Sequence, residues 1–151
     1  MQSSMLRNAT LGFIAAALSV VTVHQLMGLV VTQLGLARIE PWSFRAVPPY
    51  GVPAIGNNIF WGGLWGVLFA LIVDKLPGGA LWLKGLIYGL GIVVISNWIL
   101  LPLIRGQVFG VPNQVMFAGG DPKRLLAGAL ILGAFGVALA VIWGLLAKRQ
   151  S

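Results

Sequence analysis

Four long apolar runs, at residues 9–36, 59–76, 80–103 and 125–147, fill most of this chain. They are about 18 to 28 residues long, and a helix needs about 20 residues to cross the hydrocarbon core of a bilayer. No water reaches backbone N–H and C=O groups there, so each run must satisfy its own hydrogen bonds as a helix. The sequence therefore predicts an all-α polytopic membrane protein with four transmembrane helices in a compact bundle. Residues 1–151 form a single domain, with long loops at about 37–58 and 104–124.

Charge supports this class. Only 9% of the residues are charged, against about a quarter in an average soluble domain, too few to coat a water-soluble surface. The net charge of +7 is spread over the termini and every loop, which suits anionic lipid headgroups and argues against nucleic acid as a partner. The chain has no cysteine, so thiolate chemistry, disulfides and Cys-ligated metals are excluded. The first run is too long for a secretory signal and is expected to remain as an anchor.

With four spans, both termini share one side with the short Pro77-Gly78-Gly79 connection. That side holds Arg7, Lys75, Lys84, Lys148 and Arg149; the other holds Arg38, Arg45, Arg105, Lys123 and Arg124. The count is tied at five against five, so the positive-inside rule does not decide. The longer, less charge-dense loops favour cytoplasmic termini.

The first long loop combines four prolines with Trp42, Phe44 and Tyr50, which forbids a long helix and predicts a segment lying on the membrane interface. Asp121-Pro122 is a start signal for the fourth helix. Residues 20–26 echo residues 93–99, and Gly-Val-Pro recurs at 51–53 and 110–112. This pattern raises the prospect of two tandem helix-loop-helix repeats.

Small residues let helices approach in lipid, where apolar side chains gain little by leaving one another's company. Span two carries Asn58, Gly62, Gly66, Ala70 and Asp74 at four-residue spacing; span three carries Gly85, Gly89, Val93 and Asn97; span four carries Gly136, Ala140 and Gly144. These stripes are the expected packing seams. Trp61, Trp65 and Phe69 fall on another face of span two, where they either meet lipid or dock on a partner, although aromatics in the hydrocarbon more often serve ordinary packing. Arg38, Arg45 and Trp42 are further candidates for interfacial lipid or partner contact, and Glu40 between the two arginines suggests either a lipid-phosphate cluster or a loop salt bridge.

The lone histidine, His24, lies within the first span, where a titratable ring must face protein, water or a ligand. The intramembrane polar candidates are His24, Gln25, Asn58 and Asn97. In the plainest reading a neutral His24 hydrogen-bonds Asn97, Ser96 or a backbone carbonyl. Two sharper readings stand beside it: axial ligation of a haem or chlorin by His24, and proton uptake along a path with Asn97. No metal site and no cofactor are otherwise predicted. The only acids are Glu40, Asp74 and Asp121, none close in sequence to another or to the histidine, so an enzyme is not expected.

The runs Val47-Pro48-Pro49-Tyr50-Gly51-Val52-Pro53 and Phe60-Trp61-Gly62-Gly63-Leu64-Trp65-Gly66, with Lys84-Gly85-Leu86-Ile87-Tyr88-Gly89 and Leu101-Pro102-Leu103-Ile104-Arg105-Gly106, resemble small uncharacterised four-helix inner-membrane proteins of bacteria. The resemblance implies a bacterial inner-membrane location and a four-helix fold, and carries no activity. From the residues, the leading expectation is a non-catalytic accessory or scaffold subunit of a larger membrane complex, with other membrane subunits or copies of itself as partners. The alternative is a small homo-oligomeric channel or transporter whose pore is lined by His24 and Asn97.

Overall fold

The computed structural model describes residues 2–148; Arg149, counted above with the terminal charges, lies outside them. Among the described residues, four helices are long and apolar enough to cross a membrane: α1, Ser4–Gln33; α2, Ala54–Lys75; α3, Leu81–Val108; and α4, Pro122–Lys148. Strands β1, Ala46–Val47, and β2, Val52–Pro53, pair antiparallel in the first long loop, ahead of α2.

The boundaries depart from the apolar runs for local reasons. The first helix begins at Gln2 rather than residue 9, because polar residues prolong it ahead of the apolar stretch; the Thr10 hydroxyl donates to the Leu6 carbonyl at 2.9 Å. α2 begins at Ala54, directly behind Pro53, whose ring disfavours helical backbone in the residue before it. α3 continues through Pro102 to Val108, although an internal proline removes a donor and crowds the preceding turn. The helix is π-wound on either side of it, over Val93–Leu100 and Ile104–Val108, a wider winding that accommodates such a break. Asp121 starts α4, its Oδ1 accepting the Lys123 N–H at 2.9 Å, as an N-cap should.

Packing is governed by two backbone contacts. A Cβ on Gly12 would overlap the Gly66 carbonyl, and one on Gly66 would overlap the Gly12 carbonyl. The same reciprocal relation holds between Gly85 and Gly136. So α1 closes on α2 and α3 on α4, each pair antiparallel and each at a distance that only glycine permits. Ala70 flanks the first contact; Ala140 and Gly89 flank the second. Gly62 receives the Val20 side chain and Gly144 that of Leu81.

The two hairpins meet through α1 and α4. Ser19, fully buried, donates its hydroxyl to the Phe135 carbonyl at 3.0 Å, and Val31 packs on Ala127 and Ile131 nearer the long loops. The backbones of α2 and α3 scarcely approach each other. What joins them lies toward the short connection: Lys84 Nζ donates to the Val73 carbonyl at 2.9 Å, and the Tyr88 hydroxyl donates to the Trp65 carbonyl at 2.6 Å. Phe69 fills the space between, 5.2 Å from the Tyr88 ring and 6.0 Å from that of Trp143.

This arrangement gives two of the three rings on the aromatic face of α2 to ordinary packing, Trp65 among them in place of the expected lipid or partner contact. Phe69 is fully buried and Trp65 packs on Tyr88; they turn inward because, with the α2 and α3 backbones apart, large rings are what close the bundle. Of the three, Trp61 alone remains mostly on the surface.

Replacing Gly66 or Gly136 by Leu should lower stability by about 1–3 kcal/mol, the usual range for overpacking. Nothing lies within 4 Å of a Cβ added to Gly91, so Gly91→Ala should be neutral or stabilising by up to about 1 kcal/mol. Thermal unfolding of the three variants in detergent checks both.

Candidate binding cleft

Beyond Tyr88, toward the long loops, the gap between α2 and α3 is a cleft with three connected parts that share Trp61 and Leu101. The innermost, about 90 Å³, reaches His24 and Phe135 and is walled by Asn58, Gly62, Ser96 and Asn97. A groove of about 220 Å³ runs between Trp61, Leu64 and Leu68 on α2 and Ser96, Leu100 and Ile104 on α3. An outer chamber of about 270 Å³ lies under the β1–β2 ribbon, where Pro49 and Tyr50 face Asn57, Asn58 and Arg105.

His24 closes a π-wound turn, Val20–His24, in α1. Its ring stands edge-on to Phe135 at 6.3 Å, and its Nδ1 lies 3.3 Å from the Gln25 side-chain nitrogen. The expected bond to Asn97, Ser96 or a carbonyl is thus replaced by one to the adjacent Gln25. Asn97 shares the inner cavity with the histidine without a hydrogen bond to it. The predicted stripe of α3 keeps Gly85, Gly89 and Val93 buried but leaves Asn97 exposed. The reason is the π-winding of Val93–Leu100, which turns through fewer degrees per residue and carries Asn97 off the stripe.

Gln25 serves the loop. It is only 4% exposed, and its Oε1 accepts the Trp42 backbone N–H at 2.9 Å, while the Trp42 indole N–H donates to the Val21 carbonyl at 2.9 Å. Higher up, the Thr32 hydroxyl oxygen accepts the Ile39 N–H at 3.1 Å, and Ile39 lies against Gly28. The chain after α1 therefore runs back along it to the level of His24, instead of lying flat on the interface. Gly28, having no side chain, lets Ile39 and Pro41 settle against the helix. Trp42, expected to contact lipid or a partner, is a clamp on α1.

The basic candidates separate. Arg45 pairs with Glu40 at 3.4 Å, both exposed, an arrangement of small energetic value. Arg38 stands apart, in a surface depression with Lys123 and Arg124. Among the described residues no three His, Cys, Asp or Glu side chains converge on a metal site. The inner cavity beside His24 is also small against the 300–1,000 Å³ of ordinary ligand pockets, so a haem or chlorin has no room against the ring as the side chains stand.

Asn57, Asn58, Ser96, Asn97 and Arg105 line the cleft, and among the described residues none makes a side-chain hydrogen bond or ion pair within the chain. Arg105 was missed as a site residue because the apolar run that marked the third span ended at Leu103, which left it among the loop charges. Gly12 was missed too, although Gly12 and Ala16 carry the same spacing as the stripes of the other spans.

No protein-family model matches the chain, and neither a curated protein nor a solved structure does.

Gln25→Leu removes the acceptor for the Trp42 N–H and should free the re-entrant segment. Limited trypsin digestion in detergent should then cut after Arg38 and Arg45 several-fold faster than in the parent chain, with a stability loss of about 0.6–1.7 kcal/mol. Unchanged cleavage would remove Gln25 from this role.

Proposed function

We propose that this chain is a non-catalytic multi-pass protein of the bacterial inner membrane, an accessory subunit that works by holding another membrane component in the cleft between α2 and α3. One observation carries the reading: five polar side chains line that cleft with no partner among the described residues. Unpaired polar groups at membrane depth cost free energy, and a site that keeps five of them is suited to meet polar atoms from outside. The absence of catalysis is supported by the acids. Glu40 and Asp121 pair with arginines at the surface, and Asp74 sits at the far end of α2, so His24 has a glutamine rather than a carboxylate beside it.

A tandem of two hairpins belongs to the same proposal. The packing glycines of α1 and α3, Gly12 and Gly85, are offset by 73 residues, as are the echoing segments at 20–26 and 93–99; their partners Gly66 and Gly136 are offset by 70. Both echoing segments contain π-wound turns. We place both termini in the cytoplasm on the strength of the longer, less charge-dense loops.

The homo-oligomeric channel draws support from His24 and Asn97 sharing one cavity. Against it, the core toward the termini is filled by Phe69, Tyr88 and Leu139, so a path has to form between chains.

Purification in mild detergent with native mass measurement tests the reading. The particle should carry a stoichiometric second component, and Leu64→Trp, which fills the groove, should strip it without lowering the melting temperature. A bare chain in both preparations would overturn the proposal. Ion flux in liposomes that collapses on His24→Ala would favour the channel instead.

A further inference from the structure

The groove and the chamber beside it differ in size and chemistry, and together they narrow the occupant. The groove, about 220 Å³ in volume, has room for a single hydrocarbon chain. The groove walls are aliphatic or indole except for Ser96, which suits such a chain.

The chamber is different. Arg105 and two asparagine amides meet there, and the guanidinium has no carboxylate partner among the described residues. The chain has three acids, two of them engaged with Arg45 and Arg124 and the third, Asp74, at the opposite end of α2. An unpaired guanidinium fork fits the planar oxygens of a carboxylate or phosphate and binds them bidentately. Asn57 and Asn58 lie in the first turns of α2, where the helix dipole also favours negative charge. Trp61 borders both compartments and Tyr50 the chamber, and such side chains favour the level of lipid headgroups.

We infer that the cleft binds an anionic amphiphile, with one hydrocarbon chain in the groove along Trp61, Leu64 and Leu68 and a phosphate or carboxylate head on Arg105 between Asn57 and Asn58. This rests on the reading of the cleft as a binding site and names what fills it.

The test uses the full chain in a neutral detergent with dodecyl phosphate as probe, followed by native mass spectrometry and tryptophan fluorescence. One molecule should bind per chain. Arg105→Ala should weaken binding about tenfold to a hundredfold, the value of a charge-assisted hydrogen bond, and Arg105→Lys should restore part of it, which separates loss of the contact from misfolding. Leu64→Trp should abolish binding. Dodecanol should bind at least tenfold more weakly, and inorganic phosphate should not compete at equal concentration.

Equal binding by Arg105→Ala, equal affinity for dodecanol, or full competition by inorganic phosphate would each overturn the inference. If the parent chain ignores dodecyl phosphate yet loses a co-purifying protein on Leu64→Trp, the amphiphile is wrong and the binding cleft stands. If Leu64→Trp changes nothing in either experiment, both fall.

Discussion

The close approach of two pairs of glycines, Gly12 with Gly66 and Gly85 with Gly136, sets the rest of the structure. In lipid an apolar side chain gains little by exchanging acyl chains for protein, so backbone proximity decides which helices pair. Each glycine contact zips one hairpin, and Ser19 with Phe135 ties the hairpins together through α1 and α4. No comparable stripe remains to draw α2 toward α3. Their junction is made by Phe69, Tyr88 and Trp65 near the short connection, and the rest of the gap is the cleft. The cleft is thus a consequence of where the small residues were placed.

Polar groups follow the same geometry. On the α1 side they are consumed internally: Gln25 and the Val21 carbonyl hold Trp42, and Thr32 holds Ile39. The π-wound turn at Val20–His24 coincides with this clamp. On the α2 and α3 side, the asparagines, Ser96 and Arg105 are left facing the cleft. The one buried polar atom without a partner elsewhere among the described residues is the Trp143 indole nitrogen, set edge-on to Phe69 in the aromatic junction; its placement serves ring packing at the expense of a hydrogen bond.

Much of the architecture was legible in the sequence because its causes are local. Apolar length gave four helices, and four-residue spacing picked out Gly62, Gly66, Ala70, Gly85, Gly89, Gly136, Ala140 and Gly144, all of which lie at helix contacts or in the core. The orientation of Phe69 was not legible, since periodicity finds faces without saying what stands opposite them. The re-entrant loop was hidden for a similar reason: Trp42 has the composition of an interfacial residue, and only its meeting with Gln25 and Val21 draws it inward. Asn97 went astray because stripe reasoning assumes α-winding, which Val93–Leu100 does not keep. Arg105 read as one of five tied loop charges until the helix was seen to run past Pro102.

The most direct measurement exploits the lack of native cysteine. A benzophenone attached at Leu64→Cys, in the groove, is photolysed in native membranes beside one at Leu145→Cys, on the exposed surface of α4. The expected result is one anionic amphiphile enriched at position 64 and the bulk lipid mixture at position 145. The same mixture at both positions, or a protein adduct at position 64, would contradict the account.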